Sequence, residues 1–226
     1  GSCIASEKSA DLLFVLDQSA SLVGYEGSQP TDADAFRVDA TADIVKQLAH
    51  LGEDNGADIN VKLAGFGSDY YSDPAEYGGW TNVSGNADAL QGELDKFRKE
   101  DRVADLETNY GAAYKGALKE LASHQGSSCR GVVFFTDGKY YTDAEANDLQ
   151  GAQDKLCEVN SSVTAFRNSN IRLFNVGLVP AAEAQDQVRQ LTRMAEGEDC
   201  GQGAPNGAFF DAGEDPAALF AAFRNL

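Results

Sequence analysis

Apolar and polar positions alternate along the chain in two kinds of run. Residues 11–17 (DLLFVLD) form a short, nearly continuous apolar stretch closed by an acid, the pattern of a strand buried on both faces of a parallel sheet. Stretches 59–66, 131–136 (GVVFFT) and 171–178 repeat it, and 208–210 predicts a shorter strand. Between these runs the apolar residues recur at helical spacing. Phe36, Ala40, Ile44, Leu48 and Leu51 predict a helix over 32–51. Further helices are predicted over 86–100, 109–123, 142–168 and 181–195. The one over 142–168 opens with Thr142 and Glu145 at capping-box spacing. A last helix begins at Asp215, with Pro216 in its first turn, where a missing N–H costs nothing. The stretch 70–83 departs from both patterns and predicts an edge strand plus a loop. Its Tyr70, Tyr71, Tyr77 and Trp80 suit either a core or a binding surface.

Strands alternating with helices predict an α/β, doubly wound fold whose largely parallel sheet is covered on both faces. The 226 residues read as one domain, 1–226, with no repeat, low-complexity tract or linker, and Gly1-Ser2 reads as a cloning remnant. No apolar run approaches the ~18 residues of a membrane helix, so direct membrane insertion is not expected of this segment. It reads as a domain cut from a longer protein that carries its own targeting and anchoring segments.

Charge narrows the partners. The formal net charge is −18, from 36 acidic and 18 basic residues. Such a surface repels nucleic acid and anionic lipid, which are bound through basic patches. Cys3, Cys129, Cys157 and Cys200 contain no C-x-x-C pair, and there are two histidines, His50 and His124, so zinc is not expected. Four cysteines suit two disulfides in an oxidising compartment; four buried thiols in a cytosolic protein is the alternative. The histidines read as solvated helix ends, and no Ser-His-Asp triad is suggested by spacing.

Candidate chemistry lies at the strand ends. In a doubly wound sheet, ligands bind beyond the carboxyl ends of the strands. Two strands end there in an acid, at Asp17 and Asp137. After the first comes Asp17-Gln18-Ser19-Ala20-Ser21, whose alternate side chains, if extended, point to one side. Asp17, Ser19 and Ser21 all offer oxygen, which suits Mg²⁺, Mn²⁺ or Ca²⁺.

Here the chain resembles the von Willebrand factor A family. Asp17, Ser19 and Ser21 match the first part of that family's metal-ion-dependent adhesion site. Glu107-Thr108-Asn109-Tyr110-Gly111, followed by Ala117-Leu118, matches the second, with Thr108 as the threonine ligand. Phe135-Thr136-Asp137-Gly138 matches the third, with Asp137 as the acidic ligand. The resemblance implies a Rossmann-like fold with a six-stranded sheet. It also implies a metal site in which the serines ligate directly and the aspartates largely through water. Neutral hydroxyls leave such a cation under-neutralised, ready for a Glu or Asp side chain from a protein ligand. The chain departs from the family at Ala20, where glycine is frequent, and in a longer insert over 23–34.

The family's strand order, 3-2-1-4-5-6, makes the first and fourth strands neighbours. The resemblance therefore implies a Cys3–Cys129 disulfide at the edge opposite the metal, and a Cys157–Cys200 bond pinning later helices. Alanine richness, acidity and four cysteines are similar to secreted bacterial members, actinobacterial surface or pilus-tip proteins among them. The expectation is thus a non-enzymatic, extracellular, cell-surface adhesion or recognition module. The first alternative is a structural domain of a larger surface assembly, a pilus or surface protein, with the metal as a staple. A second is an aspartate-nucleophile phosphatase, which needs a further acid where this chain has Ser19.

Overall fold

The computed structural model describes residues 3–24, 27, 29–98, 105–124, 126–137, 140–156, 162–178, 207–211 and 221. Its strands are β1 (Ser9–Asp17), β2 (Asp58–Phe66), β3 (Tyr70–Tyr71), β4 (Thr81–Asn82), β5 (Arg130–Thr136), β6 (Ile171–Gly177) and β7 (Gly207–Asp211). Its helices are α1 (Cys3–Glu7), α2 (Phe36–Asn55), α3 (Pro74–Tyr77), α4 (Gln91–Lys96), α5 (Tyr110–Ser123), α6 (Leu149–Lys155) and α7 (Ser162–Asn168). Among the described residues the sheet has seven strands in the order β3-β2-β1-β5-β6-β7, with β4 also on β2. All pairings are parallel except those of β3 and β4 with β2. One more strand is present than expected because 70–83 contributes two short edge strands, separated by α3.

Nearly every residue of β1 is buried, and its alternate positions serve two cores. Leu12, Phe14 and Leu16 pack with Val38, Ile44, Val45 and Leu48 of α2 and Leu94 of α4. Leu13 and Val15 pack with Tyr110, Ala113, Tyr114 and Ala117 of α5, Ala152 of α6 and Phe166 of α7. Burial on both faces is why the strands read as continuous apolar runs. In register, Asp17 pairs with Phe66, Leu16 with Phe135 and Thr136 with Gly177, so the carboxyl ends of four strands form one flush edge.

Several boundaries differ from expectation. The helix expected over 32–51 runs Phe36–Asn55. Asp32 lies before it: its carboxylate accepts from the backbone N–H of Phe36 (2.7 Å) and Arg37 (3.3 Å), and pairs with the buried Arg37 guanidinium at 2.8 Å. His50 is therefore an exposed mid-helix residue. Among the described residues of the helix expected over 86–100, α4 alone is α-helical, because the i→i+3 turns at Asn86 and Asp88 hold the preceding chain. The single helix expected over 142–168 is broken. Thr142 makes no capping bond to the backbone; its hydroxyl donates instead to the Glu145 side chain (2.9 Å), and only a 3-10 turn follows. Asp148 then starts α6 by accepting from the Gly151 N–H. Helix α1 was not expected. The helix expected over 181–195 lies outside the described residues, as does the one expected from Asp215 apart from Ala221, which is helical.

Cys3 and Cys129 form a disulfide with Cα atoms 5.9 Å apart, tying α1 to the start of β5. The Cys157–Cys200 pairing lies outside the described residues.

Candidate metal centre

Three segments meet at the carboxyl edge of β1 and β5. Asp17 closes β1 and is fully buried. The chain then turns through a 3-10 turn at Ala20–Leu22, bringing Ser19 and Ser21 back over the strand end. Asp17 Oδ1 accepts from the Ser19 N–H (2.8 Å) and from Ser19 Oγ (2.6 Å). Asp17 Oδ2 accepts from Thr136 Oγ1 (2.8 Å) and from the Asp137 N–H (3.4 Å). Ser21 Oγ donates to Asp137 Oδ2, and Ser19 Oγ and Ser21 Oγ lie 3.2 Å apart. The structure thus brings Asp17, Ser19, Ser21 and Asp137 together.

Proton bookkeeping makes the hydroxyl pair informative. Each serine hydroxyl has one proton. Ser19 commits its proton to Asp17 and Ser21 commits its own to Asp137, so two oxygens face each other at 3.2 Å with lone pairs. In an octahedron with Mg–O bonds of ~2.1 Å, neighbouring oxygens are about 3.0 Å apart; with Ca–O bonds of ~2.4 Å the spacing is about 3.4 Å. The observed separation falls between them. Burial and the nearby Asp137 charge push the Asp17 carboxyl up to about 7 from 3.8. A cation would relieve that destabilisation. The donor set fits a hard divalent ion by chemistry, spacing and electrostatics. Among the described residues no group of three or more His, Cys, Asp or Glu side chains is placed to hold a metal, so the candidate differs in kind from a carboxylate or imidazole cage.

Thr108 is buried at the same edge, on the segment 105–108. Its backbone pairs with Tyr141, N–H to O at 2.8 Å and O from N–H at 3.2 Å. The segment lies against the serine turn: Ser19 bridges Asp105, and the Ala20 N–H donates to the Asp105 carbonyl at 2.7 Å. Thr108 thus lies three residues along a segment whose first residue, Asp105, runs against the serine turn.

Two contributors were not singled out by sequence. Thr31 Oγ1, in the insert over 23–34, lies 3.0 Å from Asp137 Oδ2 and 3.1 Å from the Ser21 carbonyl, with one proton to share between these two acceptors, so the insert folds back onto the site. Asp105 fastens the loops together. Its Oδ2 accepts from the Ser68 N–H (2.8 Å), Ser68 Oγ (3.0 Å) and Tyr71 OH (2.6 Å). These bonds outweigh burial and hold its carboxyl below the usual range. Gly67 permits the approach, since a Cβ there would collide with the Asp105 carboxylate. Neither residue lies in a recognisable spacing. A lone acid or hydroxyl in a loop carries no pattern.

The aromatics of 70–83 face inward. The Tyr70 hydroxyl donates to Glu120 (3.2 Å) and Tyr71 is the Asp105 partner just described. Tyr77 is buried against Phe97, with its hydroxyl on Gln18 Oε1 at 2.9 Å. Trp80 stacks on His124 at 4.2 Å. His124 caps the end of α5 and lies 3.4 Å from the buried Asp11 carboxylate, at the edge opposite the cluster. Tyr77 is buried and Tyr70, Tyr71 and Trp80 are half-buried, so all four rings contribute to packing within the fold.

The family model of the von Willebrand factor type A domain matches residues 11–216. Among curated proteins, none matches the sequence. Among solved structures, the PilB minor pilin from Streptococcus sanguinis is similar with a TM-score of 0.60 at 14% identity, over 95% of this chain and 59% of that one. Proximal thread matrix protein 1 from the mussel byssus gives a TM-score of 0.58 at 13% identity, over 99% of this chain and 46% of that one. The vWF domain of the type V pili tip protein Mfa5 from Porphyromonas gingivalis gives 0.55 at 13% identity, over 96% and 93%. This chain spans about half the length of the first two. Likeness at such identities is a likeness of fold.

Proposed function

This chain belongs to the von Willebrand factor type A domain family, and from that premise we propose that it is a cell-surface adhesion module that binds a protein ligand through one divalent cation. The cation would be Mg²⁺, with Mn²⁺ or Ca²⁺ able to substitute. Ser19 and Ser21 would ligate it directly, with Asp17, Asp137 and Thr108 completing the set. The observation that carries this reading is the serine pair, whose protons are both committed to carboxylates and whose oxygens face each other at 3.2 Å.

The protein's part is to hold the hydroxyls ready. Asp17 fixes Ser19 through two hydrogen bonds, and Asp137 fixes Ser21. Thr136 holds the far oxygen of Asp17. When bound, the cation would supply a Lewis-acidic position for a partner's carboxylate. Contact there outweighs the repulsion expected from a net charge of −18, because salt screens surface charge over about 8 Å at physiological ionic strength. We place the domain outside the cell, on a surface appendage, a setting supported by the pilin and pilus-tip folds among its structural neighbours. We read it as a binding module and not an enzyme: the position two residues after Asp17, where an aspartate-nucleophile phosphatase needs an acid, is Ser19.

Titration calorimetry with Mg²⁺ or Mn²⁺ tests the assignment. Asp17→Ala should lose measurable metal binding while keeping the fold by circular dichroism. Unchanged metal affinity in that variant would refute it.

A further inference from the structure

Among the described residues, the large hydrophobic side chains left exposed are Val23 (39%), Phe36 (38%), Leu106 (58%) and Tyr141 (39%). Scattered singly, exposed apolar residues mean little. These four share one edge of the molecule. Val23 ends the 3-10 turn that carries Ser21. Phe36 opens α2, and its N–H is held by Asp32, whose own N–H donates to Leu22 in that same turn. Leu106 lies two residues before Thr108, and Tyr141 is the backbone partner of Thr108. Each therefore sits on a segment that carries a proposed metal ligand or is hydrogen-bonded to one. The opposite edge, with Asp11, His124 and the Cys3–Cys129 disulfide, has none of them.

Charge adds a second feature. Glu107 follows Leu106, and its side chain accepts from the Asp143 N–H at 2.6 Å; Asp143 is exposed beside Tyr141. Acidic groups thus lie directly beside the apolar ones.

We propose that Val23, Phe36, Leu106 and Tyr141 form an apolar docking surface for an extended segment of a different protein. That segment carries one Glu or Asp flanked by aliphatic or aromatic residues, and is otherwise basic. The acid meets the cation, so this step rests on the reading under Proposed function. The flanking apolar side chains cover Leu106 and Tyr141, and Lys or Arg beyond them meets Glu107 and Asp143. Apolar anchors beside a buried charge contact are where binding energy concentrates, because they exclude water from it. A second copy of this chain is a poor occupant, since each copy carries a net charge of −18.

The test is selection of random linear phage-displayed peptides on the Mg²⁺-loaded domain, with elution by EDTA. Enriched peptides should hold a Glu or Asp with an aliphatic or aromatic residue within two positions, and a net positive charge. Synthetic versions should bind Leu106→Ser and Tyr141→Ser at least about tenfold more weakly than wild type. Mg²⁺ should still raise the melting temperature of both variants. EDTA-released peptides with polar flanks and equal affinity for all three proteins would overturn the apolar surface while leaving the cation intact. Peptides that stay bound in EDTA would overturn the cation reading, and with it the acid in the partner. Mg²⁺-dependent dimerisation of the wild type in sedimentation, lost in Leu106→Ser, would overturn the choice of a foreign partner.

Discussion

Ser19 and Ser21 matter through where their protons go, and that depends on the ionisation of Asp17 and Asp137. Burial and the Asp137 charge raise the Asp17 carboxyl from 3.8 to about 7. A folded-state value above the unfolded one means that Asp17 favours the metal-free fold at pH below 3.8, and that this contribution is lost as pH rises to about 7. A cation needs the ionised form, so protons and metal compete. Mg²⁺ should therefore raise the melting temperature more at about pH 8 than at about pH 5. Differential scanning fluorimetry at both values checks this; an Mg²⁺ shift independent of pH would contradict it. At saturating metal, near a hundred times Kd, the gain is ~2.7 kcal/mol, or roughly 5–10 °C for a domain of this size. Asp17→Asn should abolish the shift. Without metal, the same variant should be at least as stable as wild type near neutral pH, since it removes one of two close buried charges.

Among the elements, the sheet was legible in the sequence and the helix boundaries were less so. β1, β2, β5 and β6 are buried on both faces, and double burial leaves an apolar run that needs no periodicity to be seen. The two acids that close β1 and follow β5 were visible for the same reason. Helix limits are set by tertiary partners. Asp32 and the buried Arg37, which also donates to the Phe97 carbonyl (3.2 Å), decide where α2 begins. The signature at Thr142 and Glu145 failed because Glu145 is engaged sideways by Thr142 and by the Tyr140 hydroxyl (2.6 Å), so its carboxylate cannot close a capping box. Thr31 and Asp105 were illegible because their partners are distant in the chain. Arg37 is placed to be costly to remove. Arg37→Ala leaves the Asp32 carboxylate buried without its counter-charge, and should lower stability by about 3–5 kcal/mol in urea denaturation. A loss under about 1 kcal/mol would mean that the ion pair contributes little to the start of α2.

Over the whole molecule, the disulfide and the proposed metal centre lie at opposite ends of the strand axis. One edge of the sheet holds the disulfide, the Asp11–His124 contact and the Trp80 stack; the other holds the hydroxyl cluster and the exposed apolar residues. The two edges should respond independently. The Cys3–Cys129 bond spans 126 residues, so chain entropy assigns it about 4–5 kcal/mol. A Cys3→Ser/Cys129→Ser double variant should melt at a markedly lower temperature, yet bind Mg²⁺ with unchanged affinity by calorimetry below its melting point. A parallel loss of metal affinity would show that the edges are coupled. Charge is the other molecular-scale property. At a net charge of −18, association with a basic partner segment should slow as salt rises, while dissociation changes little. Stopped-flow rates at two ionic strengths separate the two.

Anomalous diffraction from crystals grown with Mn²⁺ would locate the cation relative to the serine hydroxyls. One peak is expected at the carboxyl edge of β1 and β5, bonded to both Ser19 Oγ and Ser21 Oγ, with the Thr108 hydroxyl turned toward it. Manganese absent from between the serines, or a Thr108 side chain directed away from them, would contradict it.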